Sequence, residues 1–394
     1  MTPEERELRR QQRERQRAVE NAAKEAGRGP LDVPFLLMTL LLTGVGLIML
    51  FSASFPMAYY ETGKPAYYLI RQGIFAAIGT AAMLLIGRIN YERYRVAGKY
   101  VLAASIGMLI LVLIPGIGIT VNGATRWMGF GELFRFQPSE IAKIGVILYF
   151  ADSISKKKER MQTFRYGILP YGIILGMIAG LMLLEPHFSG TVLILGIGAV
   201  MMFAGGIQGI WIAAGAGVAG VVGWAYLTGK IAYNSSRILI WQDPLNPDWM
   251  QGAGYQTRQS LLAIGSGGLL GVGLGQSRQK FMYLPERHND FIFSIICEEL
   301  GLIGATFIML LFALLIIRGY WIALHARDRF GALLAVGVTT QIALQVFLNV
   351  AVVSNLIPNT GISLPFFSYG GTALVIQLSE MGLVLSVSRQ MPPS

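Results

Sequence analysis

Asp290 is the side chain in this sequence whose position most suggests acid–base chemistry. It directly follows the polar stretch 285–289 and is followed by the largely apolar run 291–297. A carboxylate at such a place is expected at the edge of a membrane, where partial burial raises its pKa and makes it a better base. The alternative is that Asp290 is the N-cap of the following helix, a common use of aspartate, and the two roles are compatible.

Two further groups of ionisable residues lie at or inside apolar runs. Glu140 and Lys143 open one run, and their spacing of three places them on one helix face, where they can pair. That pair either makes the helix neutral enough to insert or lines a polar cavity. Glu298 and Glu299 lie about two turns beyond Asp290, with Glu298 on nearly the same helix face. They need a partner, a proton or water, so both structural pairing and chemistry are open.

A fourth polar stretch, residues 359–372, precedes the last apolar run. It combines small polar residues with Gly361, Pro365 and Gly370. These residues permit a re-entrant turn that offers backbone N–H groups and hydroxyls to a cavity, or a turn with a purely structural role. Irregular backbone at membrane depth is tolerated only where it is buried in protein or lines water.

Helices must position these residues, because the composition is that of a polytopic membrane protein. Apolar residues make up 54% of the 394 residues and charged residues only 14%, whereas an ordinary soluble domain carries about 25% charged residues. The mean hydropathy is +0.54. A membrane helix needs about 20 mostly apolar residues, so we predict an all-α fold with about ten transmembrane helices. The runs lie near 34–54, 69–87, 99–119, 137–153, 166–184, 191–206, 209–228, 291–317, 331–352 and 372–388.

Basic residues predict the orientation of these helices. If the N-terminus is cytoplasmic, the segment 1–28 and the inner connections hold 21 of the 32 Lys and Arg residues. The positive-inside rule then places both termini in the cytoplasm. The net charge of +10 is explained in this way, so we expect no nucleic-acid partner. The single cysteine, Cys297, excludes an internal disulfide and a cysteine-rich metal site.

The predicted organisation has three parts. A cytoplasmic basic segment spans 1–33, a ten-helix membrane domain spans 34–388, and a short cytoplasmic tail spans 389–394. The longest connection, 229–290, is a large extracellular loop between the seventh and eighth helices. Its aromatic and glycine residues predict a folded loop that can re-enter the membrane interface.

The four polar stretches, together with residues 237–238, 254–256 and 259–260 before a Gly-Gly turn, resemble the SEDS family (shape, elongation, division and sporulation). The likeness extends from Pro34 to Val387 and is greater to the FtsW and SpoVE members than to RodA. It implies a glycosyltransferase that polymerises lipid II into peptidoglycan at the outer face of the bacterial cytoplasmic membrane, in cell division or related wall synthesis. It also implies a class B penicillin-binding protein as transpeptidase partner, and other membrane proteins of the divisome or elongasome.

The resemblance implies roles for individual residues. Asp290 matches the essential aspartate of the family's Leu-Pro-Glu-x-His-x-Asp-Phe pattern, while Glu140 and Lys143 match a polar pair that faces the same cavity. Glycosyl transfer from a polyprenyl-diphosphate sugar needs a base for the acceptor hydroxyl and cations for the departing diphosphate, but no strong general acid. Glycosidases differ, because they protonate a poor leaving group. We therefore expect Asp290 to be the general base, with inversion at the anomeric carbon.

The substrate-binding candidates are polar residues of the matched stretches and basic residues expected on the outer side. They are Glu140, Lys143, Arg126, Arg237, Arg258, Lys280, His288 and Ser368, with Arg278 and Arg287 also in the pool of outer cations. A divalent cation at Asp290 is an open alternative, because oxygen ligands suit Mg²⁺ and Mn²⁺.

One stretch departs from the family pattern. In residues 185–191, His187 stands where many members have an aspartate, and a serine is added, so this loop is not expected to supply an essential carboxylate. The main rival function is a transporter that flips lipid II, since intramembrane acids and glycine-rich helices also suit alternating access. A scaffold that recruits the cross-linking partner is compatible with either activity.

Overall fold

Helices dominate the computed structural model, which describes residues 29–121, 123–130, 134–227, 236–247 and 252–391. This confirms the all-α prediction, while residues 1–28 of the predicted basic segment 1–33 lie outside the described residues. The helices are α1 (Val33–Thr62), α2 (Tyr67–Arg88), α3 (Tyr94–Val112), α4 (Pro138–Lys157), α5 (Leu169–Leu184), α6 (Phe188–Ala204), α7 (Gly209–Leu227), α8 (Ser236–Gln242), α9 (Tyr255–Ser266), α10 (Ile292–Leu324), α11 (Arg329–Val353) and α12 (Gly371–Ser388).

Short elements connect some of these helices. Tyr91–Arg93, Lys158–Gln162 and Gly252–Gly254 are 3₁₀ turns, and Phe164–Ile168 is a π-helical turn before α5. A small antiparallel sheet lies between α3 and α4. Its strands, in the order β1-β2-β3, are β1 (Ile119–Val121), β2 (Ala124–Phe130) and β3 (Phe134–Phe136).

A helix occupies each of the ten predicted spans, and the protein is a multi-pass membrane protein. Within the described residues, seven helices are long and apolar enough to cross a membrane. Shorter apolar stretches, Phe188–Ala204 and Gly209–Ala225, lie in α6 and α7. The tenth, α4, carries Glu140, Lys143 and Asp152 and packs inside the bundle against α3, α6 and α11. Neighbouring helices cover α4, so it does not have to be apolar on every side.

The third predicted span, 99–119, is wrong at its C-terminal end. The helix ends at Val112, and the apolar residues that follow enter a turn and then strand β1. Pro115 has no backbone N–H to continue a helix, and Gly116 has φ +90°. Apolar composition alone does not distinguish a helix end from a short strand.

Helix α10 is broken at Gly301, where φ is +66° and ψ is −171°. The loop that precedes α10 bonds to the backbone freed at this break: Val272 N donates to the Glu298 carbonyl at 3.0 Å, and Leu302 N donates to the Gly268 carbonyl at 2.9 Å. A Cβ on Gly301 would lie 2.2 Å from Gly271 N, so the approach requires glycine. The loop is therefore anchored to the helix that follows Asp290.

Close packing at glycine joins helices α2 and α12. Helices α2 and α12 meet at Gly79 and Gly382, where an added Cβ would lie 2.7 Å from Leu378 Cδ1 and 2.7 Å from the Met83 carbonyl oxygen, respectively. Small residues allow such close contact between membrane helices. Because α12 is fixed in this way, its N-terminal turn also has a fixed position.

Candidate active site

A cavity of about 750 Å³ lies at one end of the bundle. The end of α1, the N-terminal turns of α2, α4, α6 and α12, strand β2 and the loop 359–363 all contribute to its wall. Its volume is within the usual range for ligand sites, about 300–1,000 Å³. Charged side chains of both signs line it: Arg71, Arg126, Arg135, Lys143 and Arg237, with Glu61, Glu140, Glu286 and Asp290.

Asp290 lies in the cavity wall, two residues before α10 begins. The N-cap residue of α10 is Phe291, so the alternative reading of Asp290 as the helix cap is wrong. Burial, together with the negative charge of Glu286, raises the pKa of Asp290 from 3.8 to about 6, while Arg126 acts in the opposite direction. A carboxylate with such a pKa is a competent general base near neutral pH.

The backbone around Asp290 is held by residues from two other segments. Asn349 Nδ2 of α11 donates to the carbonyl oxygens of Asp290, at 2.8 Å, and Ile362, at 2.6 Å. Ser368 Oγ donates to the Asn289 carbonyl at 2.7 Å. Asn349 therefore joins the loop that carries Asp290 to the loop 359–370, which is irregular and largely buried in protein as irregular backbone at this depth requires.

Gly361 lies directly against the carboxylate. Its φ is +68°, and a Cβ at this position would lie 3.1 Å from Asp290 Oδ2. Ser189 Oγ of α6 donates to the Gly361 carbonyl at 3.0 Å. Asp290, Gly361 and the N-terminal turn of α6 are therefore neighbours.

Glu140 and Lys143 form the predicted ion pair, with Lys143 Nζ 2.8 Å from Glu140 Oε2. Both line the cavity, and the Lys143 side chain is only 3% exposed. Of the two interpretations of this pair, neutralising the helix or lining a polar cavity, the structure supports the second.

Arg126 lies between α5 and the cavity. Its Nε donates to the Glu185 carbonyl at 3.1 Å and its Nη2 donates to the Pro186 carbonyl. Burial lowers the pKa of His187, the residue before α6, to about 3, and the charges of Arg126 and Lys143 act in the same direction. The imidazole is therefore neutral in the folded protein, and it lines the cavity.

Glu185 does not line the cavity. It is buried, and burial raises its pKa to about 8 against the opposing charge of Arg126.

The structure brings five of the nine predicted site residues to the cavity: Asp290, Glu140, Lys143, Arg126 and Arg237. Arg237 also donates from Nη1 to the Asn359 carbonyl at 3.0 Å. The other four lie elsewhere, for reasons that differ between them.

Lys280 is completely buried rather than facing substrate. Its Nζ lies 2.9 Å from Glu299 Oε1, and Ser52 Oγ of α1 donates to both carboxylate oxygens of Glu299. Glu298 accepts from Ser277 Oγ and from Arg278 N, the latter at 2.9 Å, so it faces the preceding loop rather than the cavity. Structural pairing is thus the correct interpretation of both glutamates, and Lys280, predicted to bind substrate, does not line the cavity.

Arg258, His288 and Ser368 also lie outside the cavity lining. Arg258 Nη1 is 3.5 Å from the Leu245 carbonyl. The His288 ring packs against the rings of Tyr68 and Tyr369, with centroids 5.1 and 5.9 Å away. Burial lowers the pKa of His288 to about 4. Ser368 Oγ donates to the backbone carbonyl of Asn289. Ser368 and His288 therefore stabilise the cavity wall without lining it.

Several lining residues had no role predicted from the sequence. Arg71, Arg135, Gln137 and Ser139 line the cavity. Asn349, which holds Asp290, also had no predicted role, although a signal for it exists: Gln341, Gln345 and Asn349 recur every fourth residue in an apolar run. Polar residues at that spacing share one helix face and mark a functional region in a membrane helix.

Fold and site together define a class of protein. The chain is a multi-pass membrane protein that carries a charged cavity at the end of its helix bundle, in which Asp290, an acid of raised pKa, lies among five cations and three other acids. Such a cavity suits group transfer on an anionic substrate that is presented at a membrane surface.

Comparison with known proteins identifies the family. A family model described as "Cell cycle protein", covering FtsW, RodA and SpoVE, matches residues 33–392. "Probable peptidoglycan glycosyltransferase FtsW" of Geobacter metallireducens is 41% identical over 365 residues, covering 91% of this chain and 95% of that protein. "Stage V sporulation protein E" of Bacillus subtilis is 43% identical over 363 residues, covering 91% and 97%.

Solved structures agree with this assignment. One, described as "Structural coordination of polymerization and crosslinking by a peptidoglycan synthase complex", has TM-score 0.76 and 26% identity, covering 91% of this chain and 98% of that one. A mutant of the rod shape determining protein RodA of Thermus thermophilus has TM-score 0.69 and 25% identity, covering 93% and 99%. The chain belongs to the FtsW/RodA/SpoVE family, as the resemblance of its polar stretches predicted.

Proposed function

We propose that this protein is a peptidoglycan glycosyltransferase that polymerises lipid II into glycan strands, with Asp290 as general base. The observation that carries the proposal is the position of Asp290: its pKa is raised to about 6, and it shares a cavity with Arg126, Lys143 and Arg237. The names of the FtsW relatives, matched over nearly their whole length, support the same activity.

The geometry suits an inverting transfer. The acceptor's 4-hydroxyl gives its proton to Asp290 while its oxygen forms a bond to the donor's anomeric carbon. The bond between that carbon and the diphosphate oxygen breaks, and its electron pair leaves with the diphosphate, whose charge the cavity cations stabilise. General-base catalysis of this kind contributes about 10²–10⁴ in rate.

Lys143 and Arg126 have different parts in this mechanism. Lys143 is fixed by Glu140 at 2.8 Å, so its ammonium is held in place at the cavity wall. Arg126 is fixed to the end of α5 by the carbonyls of Glu185 and Pro186, and its charge acts on Asp290. Both cations are therefore positioned before substrate arrives, which lowers the cost of organising them in the transition state.

Asp290 is also suited to hold a divalent cation. The neighbouring Asn289 Oδ1 is buried and has no hydrogen-bond partner among the described residues. Asp290 and this oxygen would hold Mg²⁺ or Mn²⁺, which would supply charge neutralisation for a diphosphate. The described part of the chain contains no group of three His, Cys, Asp or Glu side chains placed as a metal cluster. Mg²⁺ sites on diphosphate substrates often use only one or two carboxylates.

The cavity end of the bundle faces outward in this proposal, and both termini are cytoplasmic. Helix ends away from the cavity carry Arg88, Lys156 and Lys157, and further basic residues follow α10 and α12. This distribution fits the positive-inside rule for a bacterial cytoplasmic membrane. The proposed partners are a class B penicillin-binding protein, which would cross-link the strands, and other divisome or elongasome membrane proteins. A similar solved structure described as a peptidoglycan synthase complex supports the first of these.

The decisive experiment compares Asp290→Asn with Asp243→Asn, using detergent-purified protein, lipid II and a cognate class B penicillin-binding protein. Asp243 is exposed at the end of α8 and lies outside the cavity lining, so its replacement should leave strand formation unchanged. Asp290→Asn should reduce strand formation by at least about 10²-fold. Wild-type strand formation by Asp290→Asn would refute the role of Asp290.

Flipping of lipid II is a second candidate function, and one buried hydrogen-bonded pair favours it. Gln341 Nε2 donates to Glu380 Oε2 at 2.6 Å near the middle of α11 and α12, a depth at which a transporter would place polar groups. Vesicles that contain the purified protein distinguish the two activities. A flippase exposes labelled lipid II to an external quencher without forming strands, whereas a polymerase forms strands from lipid II in detergent.

A further inference from the structure

Two helices begin side by side at the cavity wall. Gln137, just before α4, has its Nε2 3.4 Å from Nδ1 of His187, just before α6. Residues from the N-terminal turns of both helices line the cavity, including Ser139 of α4 with Ser189 and Gly190 of α6. The N-terminal N–H groups of a helix have no intrahelical acceptor, and the helix dipole favours negative charge at this end. Two such ends together suit an anion with several oxygens.

A second observation also points to a ligand at this place. The side chain of Ser139 is 2% exposed, and its Oγ has no hydrogen-bond partner among the described residues. A buried hydroxyl without a partner is unfavourable, so native proteins normally provide one. Because Ser139 also lines the cavity, a bound ligand can provide the missing acceptor.

The surrounding charges select an anion as that ligand. Lys143 lies one turn further along α4, and its positive charge, like that of Arg126, acts on the His187 ring. Glu140 is the acid nearest to Ser139 in sequence, and its Oε2 is 2.8 Å from Lys143 Nζ. His187 is packed over the N-terminal turn of α6, where a Cβ on Gly190 would lie 2.5 Å from its Cε1. As a neutral ring it can donate one hydrogen bond to an anion.

The N-terminal turn of α6 also lies close to Asp290, the proposed base. Ser189 Oγ donates to the Gly361 carbonyl at 3.0 Å, and Asp290 Oδ2 would lie 3.1 Å from a Cβ on Gly361. One residue of the loop 359–363 therefore separates the α6 N-terminus from the carboxylate. In an inverting displacement, the base with its acceptor hydroxyl and the leaving group lie on opposite sides of the anomeric carbon. The short distance between Asp290 and the N-terminus of α6 suits this arrangement.

We propose that the N-terminal turns of α4 and α6, with the Ser139 hydroxyl as a donor, bind the diphosphate of a polyprenyl diphosphate. This inference rests on the proposed function and specifies where the leaving group is held. The same donors bind the diphosphate in the substrate and after its bond to the anomeric carbon has broken. Ser139 then contacts the leaving group directly, whereas Asp290 contacts the acceptor.

The experiment measures binding rather than polymerisation. Full-length protein in detergent is titrated with geranylgeranyl diphosphate, and Ser139→Ala is compared with Ser155→Ala on the same helix. Ser155 Oγ donates to the Asp152 carbonyl at 2.9 Å, far along α4 from the cavity, so its replacement should leave binding unchanged. Ser139→Ala should bind about 10- to 100-fold more weakly, the usual effect of losing a hydrogen bond to a charged group. Its thermal stability should not fall, because no hydrogen bond among the described residues is lost.

Further ligands test which part of the probe is recognised. Inorganic pyrophosphate should compete with the prenyl diphosphate, and geranylgeraniol should bind equally well to the wild type and to Ser139→Ala. Unchanged affinity of Ser139→Ala for the diphosphate, or an equal loss in Ser155→Ala, would overturn the assignment. In buffer without divalent cations, Asp290→Asn should retain diphosphate binding. An active Asp290→Asn variant would therefore refute the role of the base without affecting the diphosphate site.

Discussion

Replacement of Gly361 by alanine would move the carboxylate of Asp290 without altering its chemistry. The residue has φ +68°, where an L-residue costs roughly 1–2 kcal/mol, and the new Cβ would lie 3.1 Å from Asp290 Oδ2. That contact is tighter than an ordinary van der Waals separation, so the carboxylate must shift by a few tenths of an ångström. A misplacement of about 1 Å can cost 10²-fold in rate, so we expect a loss of about tenfold.

The chain offers a matched control at Gly63. This residue also has φ +68°, but no described atom lies within 4 Å of the position of its Cβ. Both alanine variants should lose roughly 1–2 kcal/mol of folding stability. Only Gly361→Ala should slow strand formation.

The assay is strand formation from lipid II at several concentrations, with thermal unfolding in detergent measured on the same samples. A displaced base lowers kcat with little change in KM, whereas a methyl group that obstructs substrate would raise KM. Wild-type kcat in Gly361→Ala, or an equal loss in Gly63→Ala, would contradict the proposed contact between Gly361 and Asp290.

Three further predictions follow from burial and charge. The rate of strand formation should fall about tenfold per pH unit below pH 6, because protonation of Asp290 removes the base; a rate independent of pH between 5 and 7 would contradict this. The raised pKa of Asp290 means that its contribution to stability is complete below pH 3.8 and is lost as the pH rises through about 6. Asp290→Asn should therefore be about 1–3 kcal/mol more stable than the wild type near pH 8 and nearly equal to it near pH 4, as measured by thermal unfolding; equal stability at both pH values would argue against burial of the charge. Lys280→Met should lose about 3–5 kcal/mol because Glu299 is left buried and unpaired, and adding Glu299→Gln should restore part of that loss; an unfolding temperature for Lys280→Met equal to the wild type's would show that the pair is not needed.

The helices and the position of Asp290 at the start of an apolar helix were predictable because the signals that mark them are local. A run of apolar residues indicates a buried or membrane-spanning helix from its own composition, and such runs placed all ten predicted spans. Asp290 stood out for the same reason, as an acid directly before an apolar run. Glu140 and Lys143 are three residues apart, so helix geometry alone brings them together.

The burial of Lys280 depends on residues far away in the sequence. Its partner Glu299 is 19 positions away, and Ser52, which bonds to that carboxylate, is 247 positions from Glu299. Exposure of a cation cannot be read from its neighbours in the chain when its partner arrives from another helix. The positions of His288 and Ser368 could not be predicted for the same reason: His288 packs against Tyr68 and Ser368 bonds to the Asn289 carbonyl, so neither lines the cavity.

The sequence by itself therefore determined the membrane class and the positions of the helices, and it singled out Asp290 as the candidate base, because transfer free energy and helix periodicity are properties of short segments. Tertiary structure alone decided which cations face the cavity and that the N-termini of α4 and α6 meet beside Asp290. It also left the Ser139 hydroxyl buried without a partner among the described residues. These features depend on how separate helices pack against one another, and that packing is set by contacts between residues distant in the chain.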